Sequence, residues 1–136
     1  MVQLASIAAT IASKGTLFEP YLVDRILDPS GRVLQTFTPN RIGRTIDVAN
    51  AERVAALMET VVTSGTGRPA QIPGVRVAGK TGTAEVGKSQ ASHTLFVGFA
   101  PVEDPSVAVA VIIEHGDGQV AASSLAKGVL AAGVAR

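Results

Sequence analysis

Gly74-Val75-Arg76-Val77-Ala78-Gly79-Lys80-Thr81-Gly82-Thr83-Ala84-Glu85 decides the fold, because its lysine belongs to two patterns that require opposite backbones. Gly74 through Thr81 matches the phosphate-loop formula G-x-x-x-x-G-K-[ST] letter for letter, and Val107 to Ile113 followed by Glu114 imitates the apolar strand and acid that accompany it. That formula needs a strand before the first glycine, a loop between the glycines and a helix opening at the lysine. Here Gln71-Ile72-Pro73 precedes the first glycine, and proline suits a strand interior badly. Val75-Arg76-Val77-Ala78 alternates like a strand, and Gly82-Thr83-Ala84-Glu85-Val86-Gly87 carries no helical stripe. The context therefore predicts one extended segment over 75–85, and a nucleotide-binding enzyme is the remote alternative.

Working outward, Thr94 to Ala100 and Val107 to Glu114 read as two further strands joined by the turn Pro101-Val102-Glu103-Asp104-Pro105. Ala121, Leu125, Gly128, Val129 and Ala132 mark one face of a closing helix. Upstream, Val54, Leu57, Met58 and Val61 make the apolar stripe of a helix that Asp47 or Asn50 can cap. Its end, Ser64-Gly65-Thr66-Gly67, reads as a flexible connection. Tyr21 to Leu27 and Arg32 to Phe37 form a hairpin about Asp28-Pro29-Ser30-Gly31. Leu4, Ile7, Ala8 and Ile11 recur at helical spacing up to the stop Lys14-Gly15, and no cap precedes this helix, as though a longer element had been cut. The order is helix, hairpin, helix, three meandering strands, helix. That is α+β with an antiparallel sheet flanked by helices.

The 136 residues suit a single domain, rich in Ala, Val and Gly, with net charge +1 and no basic cluster. Nothing in that charge pattern suggests nucleic acid. The absence of cysteine excludes a thiol nucleophile, a disulfide framework and a cysteine zinc site. The longest strictly apolar run, Val107 to Ile113, is far short of the ~20 residues that span a bilayer, so no membrane segment is expected in this chain. No export signal is visible at its start.

The second pattern is Lys80-Thr81-Gly82-Thr83 within a strand. A site that accepts a peptide ending in a carboxylate needs a cation and hydroxyl donors there. Lysine brings the charge, and the threonine hydroxyls bring charge-assisted hydrogen bonds worth about 1.5–3 kcal/mol each. Glycine removes a side chain where substrate lies against the strand. K-T-G is one of the signatures of penicillin-binding proteins and class A β-lactamases. Its flanks carry the resemblance further. Ile72-Pro73-Gly74 through Glu85, Gly65-Thr66-Gly67 before it, and His93-Thr94-Leu95-Phe96-Val97-Gly98-Phe99-Ala100-Pro101 after it resemble class B penicillin-binding proteins of actinobacterial type. The opening helix and Pro20-Tyr21-Leu22-Val23 also resemble segments of that family, so the likeness spans essentially the whole chain, in the family's order.

The resemblance implies the C-terminal portion of the serine β-lactamase/penicillin-binding transpeptidase fold over residues 1–136. It implies a peptidoglycan stem peptide or a β-lactam as ligand, an extracytoplasmic location at the membrane or cell wall, and no cofactor. By resemblance, Lys80 lines the site electrostatically, Thr81 and Thr83 recognise the carboxylate, Gly82 admits substrate, and the Thr83 backbone N–H joins the oxyanion hole. Val86 to Ser92 would be the loop beside the cleft. A relative acting as β-lactam sensor, carboxypeptidase or β-lactamase shares the strand, and a non-catalytic binding module of the same fold is the other alternative.

The family's nucleophile is missing. Its S-x-x-K and S-x-N should precede the K-T-G strand, yet the asparagines are Asn40 and Asn50, preceded two places earlier by Thr38 and Val48. The lone S-x-x-K, Ser124-Leu125-Ala126-Lys127, falls after the strand. With nine serines and four lysines, roughly 0.3 such matches arise by chance, so Lys127 is expected to be a surface lysine. No catalytic residue is therefore assigned, and the chain alone is expected to be inert, its partner being the missing N-terminal part of its own domain. His93 and His115 are expected at strand ends as ordinary solvated residues. Glu114, His115 and Asp117 fit no standard metal spacing, so no metal site is assigned.

Overall fold

The structure, a computed structural model, describes residues 1–87, 90–116 and 121–135. In chain order it runs α1 (Val2–Ala12), β1 (Thr16–Phe18), β2 (Arg25–Leu27), β3 (Val33–Thr36), β4 (Arg41–Arg44), α2 (Val48–Thr63), a 3₁₀ turn (Arg68–Ala70), β5 (Ala78–Ala84), β6 (His93–Ala100), β7 (Val107–Ile113) and α3 (Ala122–Val134). Strands β5, β6 and β7 form an antiparallel sheet in that order, with helices packed on both of its faces. This is the expected α+β class.

Alternation along the strands sorts the core into two layers. Phe96, Ala100 and Val109 face Ala122, Ala126 and Leu130 of α3. Ala78 and Phe99 face Ile11 of α1 and Met58 of α2. With few aromatics, the layers close by small residues. A Cβ on Gly133 of α3 would stand 2.7 Å from Val107 Cγ2, so only glycine lets α3 approach β7 this closely. The Phe96 ring lies over β5, where a Cβ on Gly79 would stand 2.1 Å from its Cζ. Gly98, paired with Gly79, is equally constrained, since its Cβ would meet the Ala78 carbonyl oxygen at 2.5 Å.

The expected hairpin is present, shortened to β2 and β3. Asp28 makes its turn. One carboxylate oxygen accepts hydrogen bonds from the Ser30 N–H, the Ser30 hydroxyl and the Arg32 N–H, and the other accepts from Arg32 Nε at 3.1 Å. These bonds hold the Asp28 carboxyl below its ordinary range, the Ser30 hydroxyl contributing most. Tyr21 to Asp24 are not strand, a correction with a simple cause: they lack a ladder partner beyond the bond from Phe37 N–H to the Asp24 carbonyl, and Leu22 is fully solvated. The antiparallel pair β1–β4 was not anticipated.

Two helical faces also need correcting. In α3 the buried face is Ala122, Ser123, Ala126 and Leu130, while Leu125 and Val129 are about half exposed at 51% and 52%. Leu130 and three small residues face the sheet, because the helix packs against it closely, while Leu125 and Val129 point outward. In α2 the stripe Val54, Leu57, Met58, Val61 exists as one face, but of these only Met58 is buried and Leu57 is 69% exposed. Asp47 is the N-cap residue without a side-chain capping bond, and Asn50 lies inside the helix. α1 ends as expected: Gly15 has φ +87°, its N–H bonds the Thr10 carbonyl, and a Cβ there would collide with the Ile46 carbonyl oxygen at 1.9 Å.

Candidate functional site

The site is built on β5, which pairs with β6 from Ala78↔Phe99 to Ala84↔His93 and is one of the two edge strands of its sheet. Lys80 stands opposite Val97, Thr81 opposite Phe96, Gly82 opposite Leu95 and Thr83 opposite Thr94. The chain remains a strand through Thr81 and beyond, so no helix opens at the lysine and the phosphate-loop alternative is overturned. The strand is shorter than 75–85, however. Ile72-Pro73-Gly74-Val75 is a tight turn, with Gly74 at φ +75° and the Val75 N–H bonded to the Ile72 carbonyl. The alternation of Val75 to Ala78 reflects core packing instead: Val77 is buried, and Arg76 reaches back to α2. Arg76 Nε and Nη2 hold the two Glu59 carboxylate oxygens at 2.7 Å each, and Glu103 adds a longer contact at 3.9 Å. The forked bond holds the Glu59 carboxyl below its ordinary range and raises Arg76 in return.

Alternation puts the four expected residues on two faces of β5. Lys80 shares the α1/α2 face with Ala78 and Val97, its ammonium donating to the Thr81 carbonyl at 2.6 Å. No carboxylate among the described residues is within ion-pair distance of it. Thr81 and Thr83 lie on the other face, Thr83 exposed and Thr81 half-buried. A Cβ on Gly82 would meet Leu95 Cβ at 3.5 Å, an ordinary contact, so packing within this chain does not demand glycine there.

Lys80 stands at the rim of an open apolar groove of about 590 Å³ between α1, α2 and the sheet. Ile7, Val54 and Leu57 line it while remaining 50%, 38% and 69% exposed. The α2 stripe read from the sequence is therefore directed at a space this chain leaves open.

Ser64-Gly65-Thr66-Gly67 is not a loose connection. The N–H groups of Gly65 and Gly67 both donate to the Val61 carbonyl, and Gln71 Nε2 donates to the carbonyls of Val62 and Thr63. This fixed turn brings the Thr66 hydroxyl to 2.6 Å from the Thr81 hydroxyl. In the sequence Thr66 is marked only by its bracketing glycines and by the family resemblance of Gly65-Thr66-Gly67, neither of which assigns it a role.

His93 opens β6 and is half-buried, against the expectation of a solvated residue, and the exposed His115 lies in the turn two residues past β7; their ring centroids are 4.8 Å apart, edge to face. The His115 N–H donates to His93 Nδ1 at 2.9 Å, and His115 Nδ1 lies 3.2 Å from the Ala91 carbonyl oxygen. Among the described residues no three His, Asp or Glu side chains gather as metal ligands; Asp117 lies outside them, as do residues 88 and 89 of the expected cleft loop. Ser124 and Lys127 are exposed on α3, which packs on the face of the sheet opposite to that of Lys80. Among the described residues no helix is long and apolar enough to cross a membrane.

An antiparallel sheet between helices, with Lys-Thr-Gly-Thr on an edge strand, fits the class of fold that carries the K-T-G signature, in penicillin-binding proteins and class A β-lactamases alike. The penicillin binding protein transpeptidase domain matches residues 1–132, and the chain belongs to that family. It is 37% identical to the peptidoglycan D,D-transpeptidase PbpA of Mycolicibacterium smegmatis over 99% of this chain and 27% of the relative. It is 34% identical to stage V sporulation protein D of Bacillus subtilis over 87% of this chain and 19% of that protein. Among solved structures, penicillin-binding protein A from M. tuberculosis, as its imipenem acyl-enzyme complex, superposes with a TM-score of 0.86 at 35% identity, covering 96% of this chain and 29% of the other. The chain thus spans about a quarter of the length of its mycobacterial relatives.

Proposed function

We propose that residues 1–136 are the C-terminal portion of a peptidoglycan D,D-transpeptidase domain and contribute its substrate-recognition strand and sheet. Lys80, Thr81, Gly82 and Thr83 on the outer strand β5 carry this reading, since they leave a cation and two hydroxyls beside a strand to which an extended peptide can be added. Lys80 supplies the positive potential. Thr81 and Thr83 bind the terminal carboxylate of a stem peptide or a β-lactam, and the Thr83 backbone N–H serves the oxyanion hole. The nucleophilic serine and its lysine belong to a preceding part of the domain, and the apolar groove beside Lys80 is the seat for that part. Its work would be at the extracytoplasmic face of the membrane, where stem peptides are cross-linked.

The test uses the complete domain, with this chain behind its S-x-x-K and S-x-N part. Thr81→Ala and Thr83→Ala are each expected to weaken transition-state binding of a penicillin by about 1–3 kcal/mol, seen in the second-order acylation rate. Acylation within twofold of the parent for both variants would show that carboxylate recognition lies elsewhere.

A further inference from the structure

We infer that Thr66 is a positioning residue for the site: its hydroxyl orients the Thr81 hydroxyl so that the Thr81 proton points at the ligand carboxylate. The inference rests on the reading of Thr81 given above and adds a residue to it. The two oxygens are 2.6 Å apart, on the short side for O–H···O, and either can be the donor. A bound carboxylate decides between the two arrangements. It only accepts, so Thr81 must spend its single proton on the ligand, and the Thr66–Thr81 bond survives only with Thr66 donating. The result is a chain from the Thr66 hydroxyl to the Thr81 oxygen, and from the Thr81 proton to the carboxylate. Each bond in such a chain polarises the next.

The turn is built for this. Thr66 is exposed, so burial does not hold its side chain, yet its backbone is pinned on both sides through the Val61 carbonyl. A Cβ on Gly65 would stand 2.9 Å from that carbonyl oxygen, and one on Gly67 3.1 Å, so the close wrap of the turn around the end of α2 depends on glycine at both positions. Thr81 itself is fixed by its pairing with Phe96. Two rigid backbones therefore meet through one hydroxyl pair, spanning fifteen residues of sequence.

In this chain by itself, three-bond couplings should report one Thr81 χ1 rotamer, and rotamer averaging in Thr66→Val; averaging already in the parent overturns the inference. In the complete domain, Thr66→Val should slow acylation by a penicillin about 3- to 10-fold, the range carried by one hydrogen bond of ordinary net strength, and Thr66→Ser should restore it. With the penicillin methyl ester, which lacks the carboxylate charge, Thr66→Val should match the parent, and in a Thr81→Val background it should add nothing. An equal loss on acid and ester, failure of serine to rescue, or no loss at all overturns the role of Thr66. If Thr81→Val is itself silent, the reading of the site falls, and that outcome is distinct from a silent Thr66→Val beside a damaging Thr81→Val.

Discussion

Glu59 and Arg76 join α2 to the segment that leads into β5 through a two-bond fork, so their contribution to stability depends on the Glu59 proton. Because Arg76 lowers the Glu59 carboxyl below its ordinary range, the contribution is complete above the unfolded-state value of about 4.3 and fades as pH falls through the lower folded value. Arg76 is more than half exposed, so solvent screens the pair and its contribution to stability is small. Glu59→Gln should therefore lower the unfolding free energy slightly at pH 7, and parent and variant should converge as pH falls through the lowered folded value of Glu59. Urea unfolding at several pH values measures this, and a difference that stays constant through acid titration would show that the carboxylate is not the cause. Arg76 could be read only as an alternating polar residue. Its partner lies seventeen residues away on a helix, and no local pattern announces such a pairing.

Strand β5 contains two glycines with opposite grounds for being glycine. Gly79 lies under the Phe96 ring, so Gly79→Ala must displace an aromatic side chain that is fully buried, and should cost about 1–3 kcal/mol of stability. At Gly82 an added methyl meets only ordinary contact, so Gly82→Ala should leave stability within about 0.5 kcal/mol of the parent. If substrate lies along the strand there, the same Gly82→Ala should slow acylation in the complete domain. Thermal melts of both variants beside penicillin acylation of the second separate packing from access, and a destabilised Gly82→Ala would refute the distinction. The motif strand, its partners β6 and β7, and the Asp28 turn were legible because each rests on local signals: period-two alternation, or an Asp followed by Ser and Gly. The pair β1–β4 was not, since its strands are three and four residues long and meet across a long sequence separation. In α3 and α2 the apolar face and the buried face differ for one reason. Periodicity finds the apolar face, but which side is buried depends on which neighbours are present and how closely they pack. Of the site, the residue types and their alternation along the strand were legible, whereas the meeting of Thr81 with Thr66, fifteen residues away, depends on tertiary packing.

At the scale of the whole molecule, two expectations follow from what stands around the sheet. The first is chemical: the purified chain should form no stoichiometric adduct with a fluorescent penicillin, since acyl transfer requires a hydroxyl activated by a base, and Ser124 and Lys127 are both exposed on α3, off the helix face that packs on the sheet. Peptide mass mapping that found an adduct on Ser124, lost in Lys127→Ala, would overturn this. The second concerns the groove beside Lys80. Ile7, Val54 and Leu57 reach into it from two helices, and exposed apolar surface of this kind favours association in water. In the chain alone Leu57 makes little of the fold's own core, so Leu57→Ser should reduce self-association in sedimentation while leaving the melting temperature nearly unchanged. If the preceding part fills the groove in the complete domain, the same substitution removes a buried leucine there and should cost about 1.5–3 kcal/mol. The two measurements depend on each other: a side chain indifferent in the piece and costly in the whole marks a surface that the rest of the domain covers. Equal effects in both settings, whether large or absent, would show that the groove is not the seat of the serine-bearing part.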